Sequence, residues 1–308
     1  MEQRARYRGC LLGLAVGDAL GARLEFCRPG TFPPLTDLVG GGRFGLQPGE
    51  WTDDTAMALC LAESLIACQG FDPVDQLTRY LRWYRHGHLS STGRCFDIGE
   101  TVRAALERFE RTGEAYGGST HPKAAGNGSL MRVAPVPLFY ARRPREAVEK
   151  AAASSRTTHG AVEAVDACRY LAALLVGAVM GASKVELLSG PCEPVAGLWR
   201  EAPLAPGVAE VAGGSFRRRD PPAIRGTGYV VSSLEAALWA FDRSRSFQEG
   251  ALLAVNLGED ADTTGAVYGQ LAGAFYGEEG LPERWKSRIA RRPLIESVAE
   301  QLCVLSLP

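Results

Sequence analysis

The chain has no C-x-x-C pair, almost no stretch of strict period-two alternation, and no apolar run near the roughly 20 residues that a membrane span requires. It also lacks a charge excess: Lys and Arg number 34 against 35 Asp and Glu, a formal net charge of −1. A broad nucleic-acid footprint needs a clear basic surplus, so that partner class is argued against. The eight cysteines, at 10, 27, 60, 68, 95, 168, 192 and 303, have no framework rhythm and read as reduced thiols of a cytoplasmic protein. Only four histidines are present, none beside an acidic cluster, which leaves little for a zinc site. The start imitates a signal peptide, yet its apolar core spans only Cys10 to Val16 and Asp18 closes it; no targeting role is expected. The longest other apolar run, 170–182, reads as a buried helix, and the arginines at 217–219 as a solvated loop.

What remains is a chain of 308 residues, 46% hydrophobic, large enough for a substantial core. Helical periodicity predicts helices at 4–21, 54–69, 73–85, 98–112, 129–140, 144–154, 161–181, 229–242, 246–256, 262–276 and 290–305. The fold class is therefore all-α. Gly/Pro-rich loops at 27–50 and 113–127 are long enough to carry function, and 188–228 reads as loops around a further helix. No spacer resembles a linker, so residues 1–308 are expected to form a single domain.

Two predicted helices carry glycine at every fourth position: Gly9, Gly13, Gly17 and Gly21, then Gly265, Gly269, Gly273 and Gly277. Each interior glycine costs about 1 kcal/mol relative to alanine. Close backbone approach between helices would offset that cost. If the stripes pair antiparallel, Asp18 and Glu25 come near Asp260 and Asp262; the alternative is that each stripe packs on some other helix.

Two acidic clusters open helices. EWTDDTAMAL places Thr52 before Asp53 and Asp54, and GEDADTTGAVYG places Asp260 and Asp262 before Thr263. Either alone can be a cap, since threonine caps well and first-turn acids complement the helix dipole. Together, four carboxylates and two hydroxyls form a hard-oxygen set suited to two divalent cations, Mg²⁺ or Mn²⁺. Without cations such a set would repel itself, and some members would take up protons.

These segments, with GCLLGLAVGDALGARLEF, CFDIGETVRAAL, GNGSLMRVAPV, THG and GTGYVVSSLEAALWAF, resemble the ADP-ribosylglycohydrolase family over nearly the whole length. The resemblance implies a compact all-α domain with a central two-metal site. It implies that Thr52, Asp53, Asp54, Asp260, Asp262 and Thr263 are the metal ligands. Asp97 matches an aspartate with a direct role at the ribose, its alternative being a helix-start acid. Glu25 matches a catalytic glutamate near the metals, though on sequence alone it is an ordinary exposed acid. Asp18 is expected to bond backbone or support a ligand. Gly126, Asn127 and Gly128 read as an anion-binding turn, with a helix starting near Ser129 adding its positive end. His159 is a candidate phosphate or ribose contact, and Tyr229 a candidate adenine contact; a structural histidine and a core aromatic are the alternatives.

The implied reaction is metal-dependent hydrolysis of the glycosidic bond joining ADP-ribose to a modified side chain, with ADP-ribosylarginine as the first expectation from the CFDIG and GTGYVV contexts. The implied partner is an ADP-ribosylated protein or a small ADP-ribosyl conjugate. Serine-linked ADP-ribose, O-acetyl-ADP-ribose and a non-catalytic ADP-ribose-binding protein are the alternatives. The context THGAVEA departs from the nitrogenase-regulating members and argues against that partner.

Overall fold

A computed structural model describes residues 2–306. Its fifteen α-helices, in chain order, are α1 (Gln3–Gly21), α2 (Asp53–Cys68), α3 (Pro73–His86), α4 (Glu100–Thr112), α5 (Pro135–Phe139), α6 (Pro144–Arg156), α7 (Val162–Val179), α8 (Lys184–Leu188), α9 (Leu198–Glu201), α10 (Pro206–Ala212), α11 (Val230–Arg243), α12 (Phe247–Val255), α13 (Ala261–Tyr276), α14 (Glu283–Lys286) and α15 (Arg292–Leu305). Among the described residues, β structure is confined to isolated bridges. No helix there is long and apolar enough to cross a membrane.

The centre is the pair α1 and α13, each buried along nearly its whole length. They run antiparallel with their glycines in register. A Cβ added at Gly13 would lie 2.3 Å from the Gly269 carbonyl oxygen, one at Gly17 2.0 Å from that of Gly265, and one at Gly9 2.3 Å from that of Gly273. The reciprocal positions are as tight: 2.3 Å from Gly265 to the Gly17 oxygen and 1.9 Å from Gly273 to the Gly9 oxygen. No side chain fits between two backbones at this separation, so direct pairing holds and the cost of the glycines is offset by helix contact. Arg6 locks the far end: its guanidinium donates to the carbonyls of Ala274 (3.2 Å) and Phe275 (2.9 Å) of α13 and Ala178 (2.9 Å) of α7, where helix dipoles favour a cation.

Helices α2, α7, α11, α12 and α15 surround this pair. Outer helices are amphipathic: α3 buries Leu77, Tyr80 and Trp83, and α4 buries Val102, Leu106 and Phe109, a spacing of three or four residues. Helix α3 opens on Asp72, which accepts from Val74 and Asp75 N–H ahead of Pro73. Apolar contacts run in one main cluster from Tyr7 to Cys303, with a small satellite of Val148, Ala173 and Leu198.

The periodicity misplaced two elements. The predicted helix at 129–140 is a run of turns followed by the short α5, because Pro135 and Pro137 deny a helix their N–H groups until the chain has turned. Helix α4 begins at Glu100, not 98. Asp97 precedes it at φ 57, outside any helix, so it is not a first-turn acid. Short α8, α9, α10 and α14 carry too few residues for a periodic pattern; α9 and α10 lie in the 188–228 stretch.

Candidate active site

The antiparallel ladder sets the Asp18 end of α1 beside the first turn of α13. An added Cβ at Gly21 would lie 2.3 Å from the Ala261 oxygen. Helix α2 starts at the same place, and Asp18 ties it there. That wholly buried carboxylate accepts from Thr52 N–H (2.9 Å), Thr52 Oγ1 (2.9 Å), Thr55 N–H (3.1 Å) and Thr55 Oγ1 (2.6 Å). An aspartate from another helix thus satisfies the first turn of α2. Thr52 makes no side-chain cap, and its hydroxyl turns inward, 3.1 Å from Asp54 Oδ2 and 3.4 Å from Asp262 Oδ2.

Two loops complete the wall. Residues 24–27 are strapped to the start of α13 by Phe26 N–H to Glu259 O (2.6 Å) and Glu259 N–H to Cys27 O (2.8 Å). This strap turns Glu25 inward, leaving it 6% exposed where an exposed acid was the sequence expectation. The 226–230 loop lies between α13 and the Gly-Asn-Gly turn: Asp260 N–H donates to Gly226 O (2.9 Å), Asn127 N–H to Gly228 O (3.1 Å) and Val230 N–H to Ala125 O (3.0 Å). Asn127 Nδ2 then donates to Asp260 Oδ2 at 2.7 Å.

The result is an open cavity of about 610 Å³, lined by Glu25, Asp53, Asp97, Asp260, Asp262 and Thr263 and by Gly126, Asn127, Gly128 and His159. Asp54 and Thr52 lie buried behind it. Carboxylate oxygens of Asp18, Asp54 and Asp262 lie within 4.8 Å of one another, as do those of Glu25, Asp97 and Asp262. Two triads therefore share Asp262. Among the described residues no Lys or Arg forms an ion pair with Asp18, Glu25, Asp53, Asp54, Asp97, Asp260 or Asp262. The starts of α2 and α13 together supply roughly one positive charge equivalent, about half a charge each. Seven carboxyls exceed that several-fold.

The electrostatic consequence is uniform in direction. Burial first, then the neighbouring carboxylates, push Asp53, Asp54 and Asp262 well above the ordinary range. Asp260 rises through burial against the hydrogen bond from Asn127. Asp18 reaches about 6 through burial, opposed by its four donors. Asp97 reaches about 7, chiefly through burial. Glu25 is pushed up to about 10 by burial, then by Asp97 and Asp260. Moreover, Glu25 Oε2, Asp54 Oδ1 and Asp262 Oδ1 are buried with no hydrogen-bond partner. Buried carboxylate oxygens without donors are costly. Divalent cations with hard-oxygen preference fit this set: they answer the orphaned oxygens, the charge surplus and the absence of nitrogen or sulfur donors together.

In the same cavity, Gly126 and Gly128 fit a turn pressed on a histidine: an added Cβ at Gly128 would lie 2.9 Å from His159 Cε1. Among the described residues neither glycine N–H donates a hydrogen bond within the chain, leaving both for a ligand. The helix start expected at Ser129 is absent. Ser129 faces the core, bonded to Ser155 Oγ (2.9 Å) and Cys168 Sγ (3.4 Å). Tyr229 lies outside the cavity lining; it precedes α11, 42% exposed, and its hydroxyl donates to Glu163 at 2.7 Å.

Two residues that sequence reasoning passed over stand behind His159. Arg132, fully buried without a carboxylate partner, donates to Gly128 O (3.0 Å) and Thr158 Oγ1 (2.7 Å), and its guanidinium packs over the Tyr80 ring at 4.7 Å. The Thr158 hydroxyl lies 2.8 Å from His159 Nδ1. Burial, then Arg132, lower the histidine to about 3, so the ring is neutral. If Thr158 Oγ1, which accepts from Arg132, also gives its proton to Nδ1, the ring proton sits on Nε2; the hydroxyl's second lone pair admits the opposite tautomer as well. The only signal in the sequence was position: Arg132 ends GNGSLMR and Thr158 opens THG.

Comparison with known proteins agrees with this geometry. The family model for ADP-ribosylglycohydrolase matches residues 1–307. The ADP-ribosylarginine hydrolase Tri1 of Serratia proteamaculans (strain 568) is 40% identical over 98% of this chain and 80% of its own length. That of Pseudomonas putida (strain GB-1) is 43% identical over 96% and 77%. A solved structure of an ADP-ribosylglycohydrolase-related protein complex is 48% identical, covers 99% of both chains and superposes with a TM-score of 0.87.

Proposed function

The chain belongs to the ADP-ribosylglycohydrolase family, and from that premise we propose that it hydrolyses the N-glycosidic bond between ADP-ribose and an arginine side chain. The observation that carries the reading is the convergence of two threonine-aspartate segments at one cavity, with Asp262 on its wall and Asp54 buried behind it, each carrying an orphaned carboxylate oxygen, and with neutral hydrogen-bond donors in the same lining. Linkage is supported by the similarity to relatives named as arginine hydrolases.

Thr52, Asp53, Asp54, Asp260, Asp262 and Thr263 would hold two divalent cations, Mg²⁺ or Mn²⁺. Bound there, such ions supply positive charge that gathers ribose hydroxyls and a water molecule and lowers the proton affinity of that water. The protein's own groups do the rest. The turn at 126–128 and His159 Nε2–H bind the pyrophosphate or ribose oxygens. Glu25 and Asp97, wall carboxyls outside both threonine-aspartate segments, move the protons: one takes a proton from water and the other gives one to the departing guanidinium nitrogen. Carboxylates near the anomeric carbon stabilise its oxocarbenium-like transition state more than the ground state. Water oxygen bonds to the anomeric carbon as the carbon–nitrogen bond breaks, releasing ADP-ribose and free arginine side chain. The eight unpaired cysteines support a reducing, cytoplasmic setting.

Incubation with Mg²⁺ or Mn²⁺ and arginine-linked or serine-linked ADP-ribose tests the reading. Free ADP-ribose is expected from the arginine conjugate, and chelator-treated protein is expected to release none. Release from the serine conjugate alone would overturn the linkage. Binding without release from either would overturn the activity.

A further inference from the structure

At the mouth of the cavity, one residue before Asp260, Glu259 already holds a guanidinium. Arg225 Nε donates to its Oε2 at 3.2 Å and Nη2 to its Oε1, a two-point fork. Both residues line the cavity. Their backbones are fixed: Glu259, at φ 57, exchanges hydrogen bonds with Phe26 and Cys27, and Gly226, next to Arg225, accepts from Asp260 N–H. The two side chains are held differently. Glu259 is 23% exposed on the wall, whereas Arg225 is 58% exposed and has no other hydrogen-bond partner among the described residues. So exposed a pair contributes little to stability, and a second guanidinium can displace Arg225 at small cost.

We propose that Glu259 is the specificity-determining carboxylate for the arginine side chain of the substrate, and that Arg225 occupies its place until substrate arrives. The inference rests on the arginine linkage proposed above. An arginine attached through one nitrogen keeps its remaining N–H groups for a carboxylate, which a serine linkage lacks. Glu259 precedes Asp260 and lines the same cavity, so a ribose held against Asp260 and Asp262 leaves its arginine substituent in the space that Glu259 borders. Discrimination then comes from a paired charge at the rim rather than from pocket volume.

The test uses the cation-loaded full chain with ADP-ribosylarginine as substrate and ADP-ribose as a ligand without a guanidinium. For Glu259→Gln the expected result is a rise in KM of about tenfold with the loss in KM rather than kcat, the scale of one charge-assisted hydrogen bond. ADP-ribose binds the variant as it binds the parent, which also shows that the cavity is intact. Arg225→Ala is expected to lower KM two- to threefold by removing the internal competitor, by roughly the worth of an exposed pair. Equal KM in parent and Glu259→Gln, while the parent turns the substrate over, overturns this inference alone. No release of ADP-ribose by the parent overturns the linkage and this inference with it.

Discussion

The two ends of the α1/α13 pair make opposite use of proximity. Over most of the pair, eight glycines let backbones touch and nothing charged intervenes. At the Asp18 end the same approach forces carboxyls together, with burial raising every one of them and mutual repulsion adding to it at Asp54 and Asp262. The first region stabilises by contact, and the second spends stability on a preformed acidic cluster whose oxygens could hold a cation. Rigid packing next to an unfavourable cluster keeps ligands in place that would otherwise move apart.

The sharpest break in that contrast is Asp54→Asn. It is expected to abolish ADP-ribose release and, in chelator-treated protein at pH 8, to raise Tm, because one repelling charge is gone. Differential scanning fluorimetry beside the activity assay reads both; a Tm that falls would mean Asp54 is stabilising without cation. Gly13→Ala should do the reverse, lowering stability by about 1–3 kcal/mol through overpacking. Its Cβ would meet the Gly269 oxygen at 2.3 Å, whereas Gly190→Ala, with nothing within 4 Å, should leave Tm nearly unchanged in the same denaturation series.

The pH dependence sharpens the contrast further. Asp18, Asp97 and Glu25 have raised proton affinities in the folded state, so the native protein binds more protons than the unfolded chain. Their contribution is complete below about pH 4, the unfolded range, and is lost as pH rises through 6 and 7 and on toward 10. Chelator-treated protein should therefore melt at falling temperature from pH 5 to 8, with a flatter profile at saturating Mg²⁺. A cation-induced Tm gain that does not grow with pH would contradict this. The smallest effect concerns the histidine of the cavity lining. Thr158→Val should lower kcat/KM about tenfold, the scale of one buried hydrogen bond, and shift the His159 ¹⁵N resonances toward mixed tautomers. Unchanged resonances would separate Thr158 from the ring.

Much of this was legible in the residues. The glycine periodicity is a statement about backbone distance, and Thr-Asp-Asp with Asp-x-Asp-Thr is a statement about hard oxygens, so the helix pair and the meeting of the two acidic segments could be read. The antiparallel pairing placed Glu25 near Asp260 and Asp262, but its burial could not be read, because it comes from a strap to Glu259 more than 200 positions away. Nor could the absent helix at Ser129, where two prolines overrode an apolar pattern, or Arg132, whose role depends on a hydroxyl from another element. Local patterns carry what one helix can do; they carry nothing about which distant hydroxyl or carbonyl completes a polar group.

The ladder between the first helix and the thirteenth also has a temporal meaning. Residues near the amino terminus must wait for the last sixth of the chain before their groove is filled, so during synthesis α1 emerges with an unfilled seam and the cleft lacks Asp260 and Asp262 of its seven carboxyls. The reaction centre is thus assembled among the final events of folding, and a truncated nascent product stopping before α13 would lack both the seam partner and the chemistry.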